Sequence, residues 1–332
     1  MNLSLTNGLI PITLQLLAFI AIVIAIGRGR SLQWMRRWLL GAVLVGVGLA
    51  AAARLFVRDQ GWSAEAISFG TVFWTAMLGF AATVLIGGWR ASPWWRRLVS
   101  VLAVVMAVVC GLTALNTATG YFPTVRAAWL RLTHTEPEQW IDEAQLAALK
   151  QEGQVPTRGT VVRVNIPGDA TGFPHRTETV YLPPAWFAGD PPPQLPAVIM
   201  MGGEFNHPND WLQSTNALET LDDFAALHHG NTPIIVFPDT SGKFNNDTEC
   251  VNGKRGNSAD HLTKDVVPYI NNHYRVNPTA AGWGIVGWSM GGTCAVDLAV
   301  MHPELFSAFV DIAGDIGPNS GTKAQTIDRL FG

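Results

Sequence analysis

The stretch Ile285-Val286-Gly287-Trp288-Ser289-Met290-Gly291-Gly292 decides how the polar part of this chain is read. It places Gly-x-Ser-x-Gly between a short apolar run and a segment, 293–300, with helical apolar periodicity. Such a sequence describes a buried strand that turns sharply through a serine into a helix. The two flanking glycines lack side chains where the turn crowds its neighbours. The hydroxyl of Ser289 would then stand clear at the carboxyl edge of a sheet. Only 43 residues follow Ser289, and the one histidine among them is His302.

Outward from that stretch, residues 157–332 alternate between strand and helix patterns. Strands are expected at 160–166, 178–182, 197–201, 234–237, 284–287 and 308–312, and helices at about 211–228, 257–274 and 290–302. In 257–274 the apolar residues Leu262, Val266, Val267, Ile270 and Tyr274 share a face, and Pro268 predicts a kink or a late start. Short apolar strands alternating with amphipathic helices imply an α/β fold with a mostly parallel sheet covered on both faces.

The other half of the chain has a different composition. The protein has 332 residues, 48% hydrophobic and only 14% charged, too few charges for an ordinary soluble protein. Residues 1–125 hold nine Arg, no Lys and two acids, a net of +7, whereas the remainder nets −10. Apolar stretches at about 9–27, 38–57, 69–89 and 98–117 are each long enough to cross ~30 Å of hydrocarbon as a helix. The first is too long for a signal-peptide core and lacks a basic n-region, so it is expected to be retained. Arg28, Arg30, Arg36 and Arg37 follow the first stretch, and Arg90, Arg96 and Arg97 the third. The positive-inside rule then sets both loops in the cytoplasm and everything after the fourth stretch outside. Trp34, Trp38, Trp89, Trp94 and Trp95 flank these loops as an aromatic belt. Arg54 is the one charge inside a stretch, near its end, so an anchor is expected rather than a channel or transporter. The expected organisation is a transmembrane region at 1–120, a juxtamembrane helix and linker at 121–156, and the polar domain at 157–332. The linker helix is expected to start at the capping box Thr135-Glu136-Pro137-Glu138. Cys110 reads as a small buried apolar residue; Cys250 and Cys294 either pair or remain two free thiols.

A serine hydroxyl needs a base to take its proton and donors for the oxyanion that forms. The Gly-x-Ser-x-Gly pattern in this context is that of a nucleophile elbow, with the Met290 N–H at the helix N-terminus as one oxyanion donor. The second is expected after an earlier strand; the run 197–201 ends in Gly202-Gly203-Glu204-Phe205, which points to the Glu204 N–H. The acids between Asp239 and Asp265 lack His or Cys at metal-ligand spacing, so no metal is expected.

Val198-Ile199-Met200-Met201-Gly202-Gly203, Ile234-Ile235-Val236-Phe237-Pro238, Asn246-Asp247-Thr248-Glu249-Cys250, Asp265-Val266-Val267-Pro268-Tyr269 and the Ser289 stretch together resemble the putative-esterase family of α/β-hydrolases. That family includes esterase D-type enzymes and secreted mycolyltransferases. The likeness covers about 160–317. It implies ester hydrolysis or acyl transfer through an acyl-serine, an acyl ester or a lipid or glycolipid as substrate, and no cofactor. The four preceding spans depart from the secreted members and imply a membrane lipid environment; no nucleic-acid partner is expected.

In this family the acid and the histidine of the triad follow later strands. Here His302 lies ~20 Å from Ser289 along its helix, too far to act as base. Asp315 would be an acid only in an unusual arrangement. His207, His228, His229, His261 and His273 come before Ser289 and break the expected order, and of these only His207 falls in the oxyanion loop. The expectation is therefore a membrane-anchored serine esterase or acyltransferase at the outer face. The chain is expected to lack the C-terminal part with acid and base, to expose an apolar sheet edge, and to be catalytically weak. The alternative is a catalytically inactive esterase-like protein that binds envelope components or a partner.

Overall fold

A computed structural model describes residues 3–27, 30–60, 68–133 and 140–332. The chain divides into two compact units, Met1–Trp129 and Leu130–Gly332.

The first unit is built from four long helices: α1 (Leu9–Ile26), α2 (Leu32–Gln60), α3 (Phe69–Gly88) and α4 (Trp94–Thr119). Each is long and apolar enough to cross a membrane. Small side chains fill the contacts between them: Ala18 and Ala107 beside Trp74, Ala21, Ala81 and Ala103 around Ile22, and Ala25 and Ala42 around Val84. Small residues bring helix axes close, which strengthens dispersion between them. The large apolar side chains point outward instead, among them Leu16, Leu44, Leu55, Leu98 and Leu112.

α2 begins six residues before the expected 38, because the helix does not end where hydropathy falls. Ser31 Oγ accepts the Trp34 N–H, and the first turns are interfacial Trp and Arg rather than lipid-facing aliphatics. The connections after α1 and after α3 meet at one end of this unit. Arg30 donates to Ser92 Oγ (2.7 Å), and the Trp34 indole donates to the Gly87 carbonyl (3.0 Å). Arg30, Arg37, Arg96 and Arg97 each lie over a tryptophan ring. Arg28, expected in the same cluster, lies outside the described residues. At the other end Ser4 bridges to Thr124, as an even number of traverses requires.

Between the units' helices and sheet, the connector departs from expectation. The capping box at 135–138 lies outside the described residues. A helix α5 (Val125–Leu132) precedes it, and the helix that follows, α6 (Glu143–Gln151), starts later than expected. Its cap is Asp142, whose carboxylate accepts the Gln145 N–H while the Gln145 side chain returns to the Asp142 N–H. Residues 141–151 are not a free linker either. Strand β1 (Ile141–Asp142) pairs with the sheet, and Leu146 enters its core.

The second unit is a seven-stranded sheet. Its strands are β1, β2 (Thr160–Val164), β3 (Glu178–Leu182), β4 (Ala197–Met201), β5 (Ile234–Phe237), β8 (Trp283–Trp288) and β9 (Ala308–Ile312), in the order β1-β2-β3-β5-β4-β8-β9. A separate short hairpin holds β6 (Asn252–Gly253) and β7 (Gly256–Asn257). Only β3 runs against its neighbours; every other pairing in the large sheet is parallel. Alternation within the strands sends side chains to two cores. Val161, Tyr181, Ile235 and Phe237 meet Leu212 of α7 (Asp210–Ser214) and the apolar face of α8 (Ala217–Leu227). Val162, Val180, Ile199, Met201 and Val236 meet Leu262, Val266, Ile270, Ala295 and Leu298 on the opposite face. This is the α/β-hydrolase type of mostly parallel sheet.

The helix expected at 211–228 is broken at Thr215 and Asn216, and Thr215 Oγ1 accepts the Ala217 N–H as the second segment begins. Pro268 acts as expected. The segment runs from α9 (Ser258–Asp260) through a π-helical turn, His261–Val266, into α10 (Val267–Tyr274). A proline cannot donate the i−4 bond, and the wider turn before it absorbs the mismatch. α11 (Met290–Met301) follows β8, and a last short helix α12 (Lys323–Thr326) lies after β9.

β9 forms the open edge of the sheet, and both of its faces are exposed, including Phe309, Val310 and Ile312. An unpaired apolar edge strand is a template for association. On the covered side, Cys250 and Cys294 are joined in a disulfide, both buried, across a sequence separation of 44. The cross-link ties the segment after β5 to the first turns of α11. Closing a loop of that length removes about 4 kcal/mol of denatured-state entropy. Replacing both cysteines with serine is therefore expected to lower unfolding stability by ~2–5 kcal/mol, read as a lower urea midpoint. An unchanged midpoint would show that the bond carries no stability.

Candidate functional site

β4 lies between β5 and β8, so the chain leaves β4 toward one neighbour and later returns on the other side. Ligands of open α/β sheets gather at the carboxyl ends of strands where this reversal occurs. Met201 pairs with Gly287, so the loops leaving β4 and β8 emerge side by side there.

Ser289 sits in the second of these loops, with φ 56° and ψ −124°, as the N-cap of α11. A non-glycine residue in this region costs on the order of 1–3 kcal/mol and persists only where its surroundings hold it. Here its N–H donates to Ile312 O (2.9 Å), and its carbonyl accepts from Gly292 and Thr293. The glycines on either side are required by space. A Cβ at Gly287 would overlap the Gly291 carbonyl, and one at Gly291 would lie 2.6 Å from Gly202 O and 2.7 Å from Met201 O. Ser289 is neither packed in the interior nor on the far rim; it is half-buried at the sheet's carboxyl edge.

The loop after β4 closes over it. A Cβ at Gly203 would meet Ser289 Cβ at 3.1 Å and Oγ at 3.5 Å. Asn206 shapes this loop: its Oδ1 accepts the Gly203 N–H (2.8 Å), and its Nδ2 donates to Asp210 Oδ2 (3.0 Å). The Gly203 amide is thereby spent. Among the described residues the amides of Glu204 and Met290 have no backbone acceptor. Arg176 buttresses the same loop. Its Nη2 donates to Asn206 O (3.1 Å), while Nε and Nη2 grip Asp239 at 2.8 and 2.6 Å. Burial works against ionisation of Asp239, yet Arg176 holds its carboxyl below the usual range.

A third segment, between β5 and α9, was expected only as part of the family likeness, with no role for its acids. Glu249 and Cys250 both take left-handed φ values, 48° and 47°. The disulfide pins this turn to α11, and Glu249 also bonds the Thr293 hydroxyl. Burial, then the neighbouring Asp247 carboxylate, push the Glu249 carboxyl up to about 10, so it keeps its proton at neutral pH. Burial raises Asp247 as well, against the pull of Arg255. Glu204 is pushed up to about 7, by burial first and then by Asp247. Burial thus raises three carboxyls in this region, Glu204, Asp247 and Glu249, with Arg255 pulling the other way on Glu204 and Asp247. No period or spacing signals this, because the acids are brought together by the disulfide and by the turn at 249–250.

Among the described residues no histidine ring is hydrogen-bonded to Ser289. His302 caps the far end of α11 and pairs with Glu304 (3.0 Å), as its position implies. His228 and His273 each face the carbonyl four residues back, and His261 lies between Glu178 and Asp265 in the core. His229 ends α8 with φ 57°. His207 stands in the loop after β4, where burial and then Arg131 and Arg176 lower it to about 4 and keep it neutral. Asp315 donates its N–H to Thr293 Oγ1 (3.0 Å) and accepts from Asn319, which is a loop-holding role.

The Glu249 carboxyl gives a signed pH dependence. Its folded value lies above the unfolded one, so the folded state binds the extra proton, and stability falls as pH rises from about 4.5 toward 10. The slope contributed is up to ~1.4 kcal/mol per pH unit. In Glu249→Gln this component disappears, so urea unfolding at pH 6 and pH 8.5 is expected to differ less in the variant than in the parent. Equal slopes would mean that the carboxyl is ionised when folded.

Several known proteins are similar to part of this chain. An uncharacterized protein of Corynebacterium glutamicum is 37% identical over 193 residues, covering 58% of this chain and 43% of that protein. The chain thus spans less than half the length of this curated relative. A solved ferulic acid esterase is similar at 21% identity and TM-score 0.40, covering 48% of this chain and 60% of its own. A fluorophosphonate-binding serine hydrolase of Staphylococcus aureus is similar at 18% identity and TM-score 0.40, covering 47% and 58%. MPT51 of Mycobacterium tuberculosis is similar at 20% identity and TM-score 0.30, covering 43% and 46%. Residues 174–321, which hold the Ser289 bend, the loop after β4 and the 239–257 segment, match the family model described as putative esterase.

Proposed function

We propose that this protein is a membrane-anchored serine esterase or acyltransferase that acts on an ester-linked acyl group at the outer face of the membrane. The observation that carries the reading is the half-buried Ser289 in its left-handed bend, with Gly203 against its side chain. In this reading Ser289 Oγ attacks the ester carbonyl and becomes acylated. The Met290 and Glu204 amides hold the oxyanion, preorganised donors of the kind that contribute several kcal/mol to acyl transfer. Water or an acceptor hydroxyl then takes the acyl group. No cofactor is needed for this chemistry.

The four apolar helices support the anchor, and the Arg and Trp residues gathered at one end of that unit support a cytoplasmic face there. In this reading four crossings return the chain to the side of its N-terminus, which supports an outer location for the polar unit. The Cys250–Cys294 bond favours the same side, since disulfides persist in oxidising compartments.

A second reading, an esterase-like protein that binds envelope lipid, glycan or a partner without turnover, is favoured by one observation. Every described histidine ring with a hydrogen bond spends it away from Ser289. Loss of the general base alone costs a serine hydrolase on the order of 10⁴–10⁶ in rate.

Intact cells producing the chain, treated with a membrane-impermeant fluorophosphonate, test both parts. The expected result is slow labelling, on the order of 10⁴-fold slower than a serine hydrolase with a complete triad, abolished in Ser289→Ala. Labelling only after cell lysis would overturn the orientation. Absence of any Ser289-dependent labelling would overturn catalysis and favour the binding reading.

A further inference from the structure

His175, Glu178 and His261 converge beside Asp239 of the Arg176–Asp239 pair, and no step above uses them. One donor atom from each lies within 4.8 Å of the others. Glu178 opens β3 and is fully buried, as is His261 in the π-helical turn before α10; His175 is half-buried in the loop before β3. His261 Nε2 faces Glu178 Oε1 at 3.0 Å, and its Nδ1 faces Asp265 Oδ2 at 3.1 Å. The two imidazoles stack, with centroids 4.7 Å apart and planes inclined by 19°, and Phe173 lies on His261 at 5.1 Å.

The hydrogen bonds in this cluster leave a gap. Glu178 Oε1 accepts the Asp239 N–H (3.0 Å), and Asp265 accepts from the Ala170 N–H and the Thr171 hydroxyl. Glu178 Oε2 is buried without any hydrogen bond among the described residues, facing His175 Nδ1 at 3.8 Å, beyond hydrogen-bond reach. A buried carboxylate oxygen left bare costs several kcal/mol, so its partner is the question the site poses.

We propose that His175, Glu178 and His261 bind a divalent transition-metal ion of the zinc type. Two imidazoles and one carboxylate are the donor set such ions prefer over calcium or magnesium. His261 ligates through Nε2, and its Nδ1–H donates to Asp265, the carboxylate that fixes tautomer and ring orientation in histidine metal sites. Bonds of 2.0–2.2 Å hold donors about 3.4 Å apart, so His175 closes inward by roughly an ångström on binding. The role is structural and independent of the catalytic reading: the ion joins the loop before β3, β3 itself and the turn before α10. It also sits one residue from Arg176, which supports the loop over Ser289. Sequence spacing hides this set, because His175 and Glu178 precede the acidic region by 60 residues or more and meet His261 only across the sheet.

The test uses the full chain purified in detergent, stripped with chelator and titrated with Zn²⁺, then with Co²⁺ as a spectroscopic probe. One equivalent of tightly bound Zn²⁺ is expected, with a rise in the thermal unfolding midpoint and visible Co²⁺ bands of a nitrogen–oxygen ligand set. His175→Gln, the least buried member of the cluster, is expected to keep the parent's far-ultraviolet dichroism while losing the Co²⁺ bands and the thermal shift. Asp265→Asn is expected to weaken binding by about 10–100-fold. The proposal is overturned if the stripped parent takes up no Zn²⁺, or if His175→Gln binds it with unchanged affinity and spectrum.

Discussion

The polar unit depends on one crowded point, where backbone from β4, β8 and α11 converges. The Gly287 and Gly291 positions admit no side chain, and Ser289 is forced into a left-handed conformation between them. That strain is held by bonds on two sides, the Ser289 N–H to the end of β9 and the Ser289 carbonyl to the first turn of α11. Strained residues survive only in surroundings that over-determine them. The parallel register of β4, β8 and β9 provides this, since all three deliver their carboxyl ends to the same edge.

Around that point the polar groups are held by cross-braces rather than by a continuous core. Arg176 and Asp239 carry the loop after β4 on one side. The Cys250–Cys294 bond, with Glu249 on Thr293, carries the 239–257 segment on the other. Both braces bury charge or acid, and each does so with a partner: a guanidinium for Asp239, a retained proton for Glu249. Burying an ionisable group unpaired would cost more than the loop could recover. β9 contrasts with this. Its Phe309, Val310 and Ile312 are exposed at the edge of the sheet, and Asp311 interrupts the apolar run.

Much of the fold was legible because its signals are local. Strands at 178–182, 197–201, 234–237 and 308–312 stand where short apolar runs place them, and Pro268 marks the irregular turn before α10. The four long helices follow from hydropathy, but α2 starts at Leu32 because capping and interfacial residues, not apolarity, decide a helix's end. The start of α6 at Asp142 and the sheet pairing of Ile141 were missed for a related reason. Several residues in 125–153 have helix-forming character, and only contact with β2 selects which of them leave the helix. In the site, the bend at Ser289 and the glycines after β4 were readable from their motifs. The acids near the serine were not, since burial and mutual proximity, rather than their order, set their protonation.

Sequence alone determined the division into an apolar Arg-containing part and an acidic α/β part, the alternation of strands and helices, and the serine at a strand-to-helix turn. These follow from periodicity, charge distribution and the steric demands of glycine, all of which act over a few residues. The tertiary structure decided which cysteines are joined, which carboxyls keep their protons, which amides remain open beside Ser289, and that His175, Glu178 and His261 meet. Those outcomes depend on distances between segments far apart in the chain and on how much water remains between them, and neither quantity is encoded at any single position.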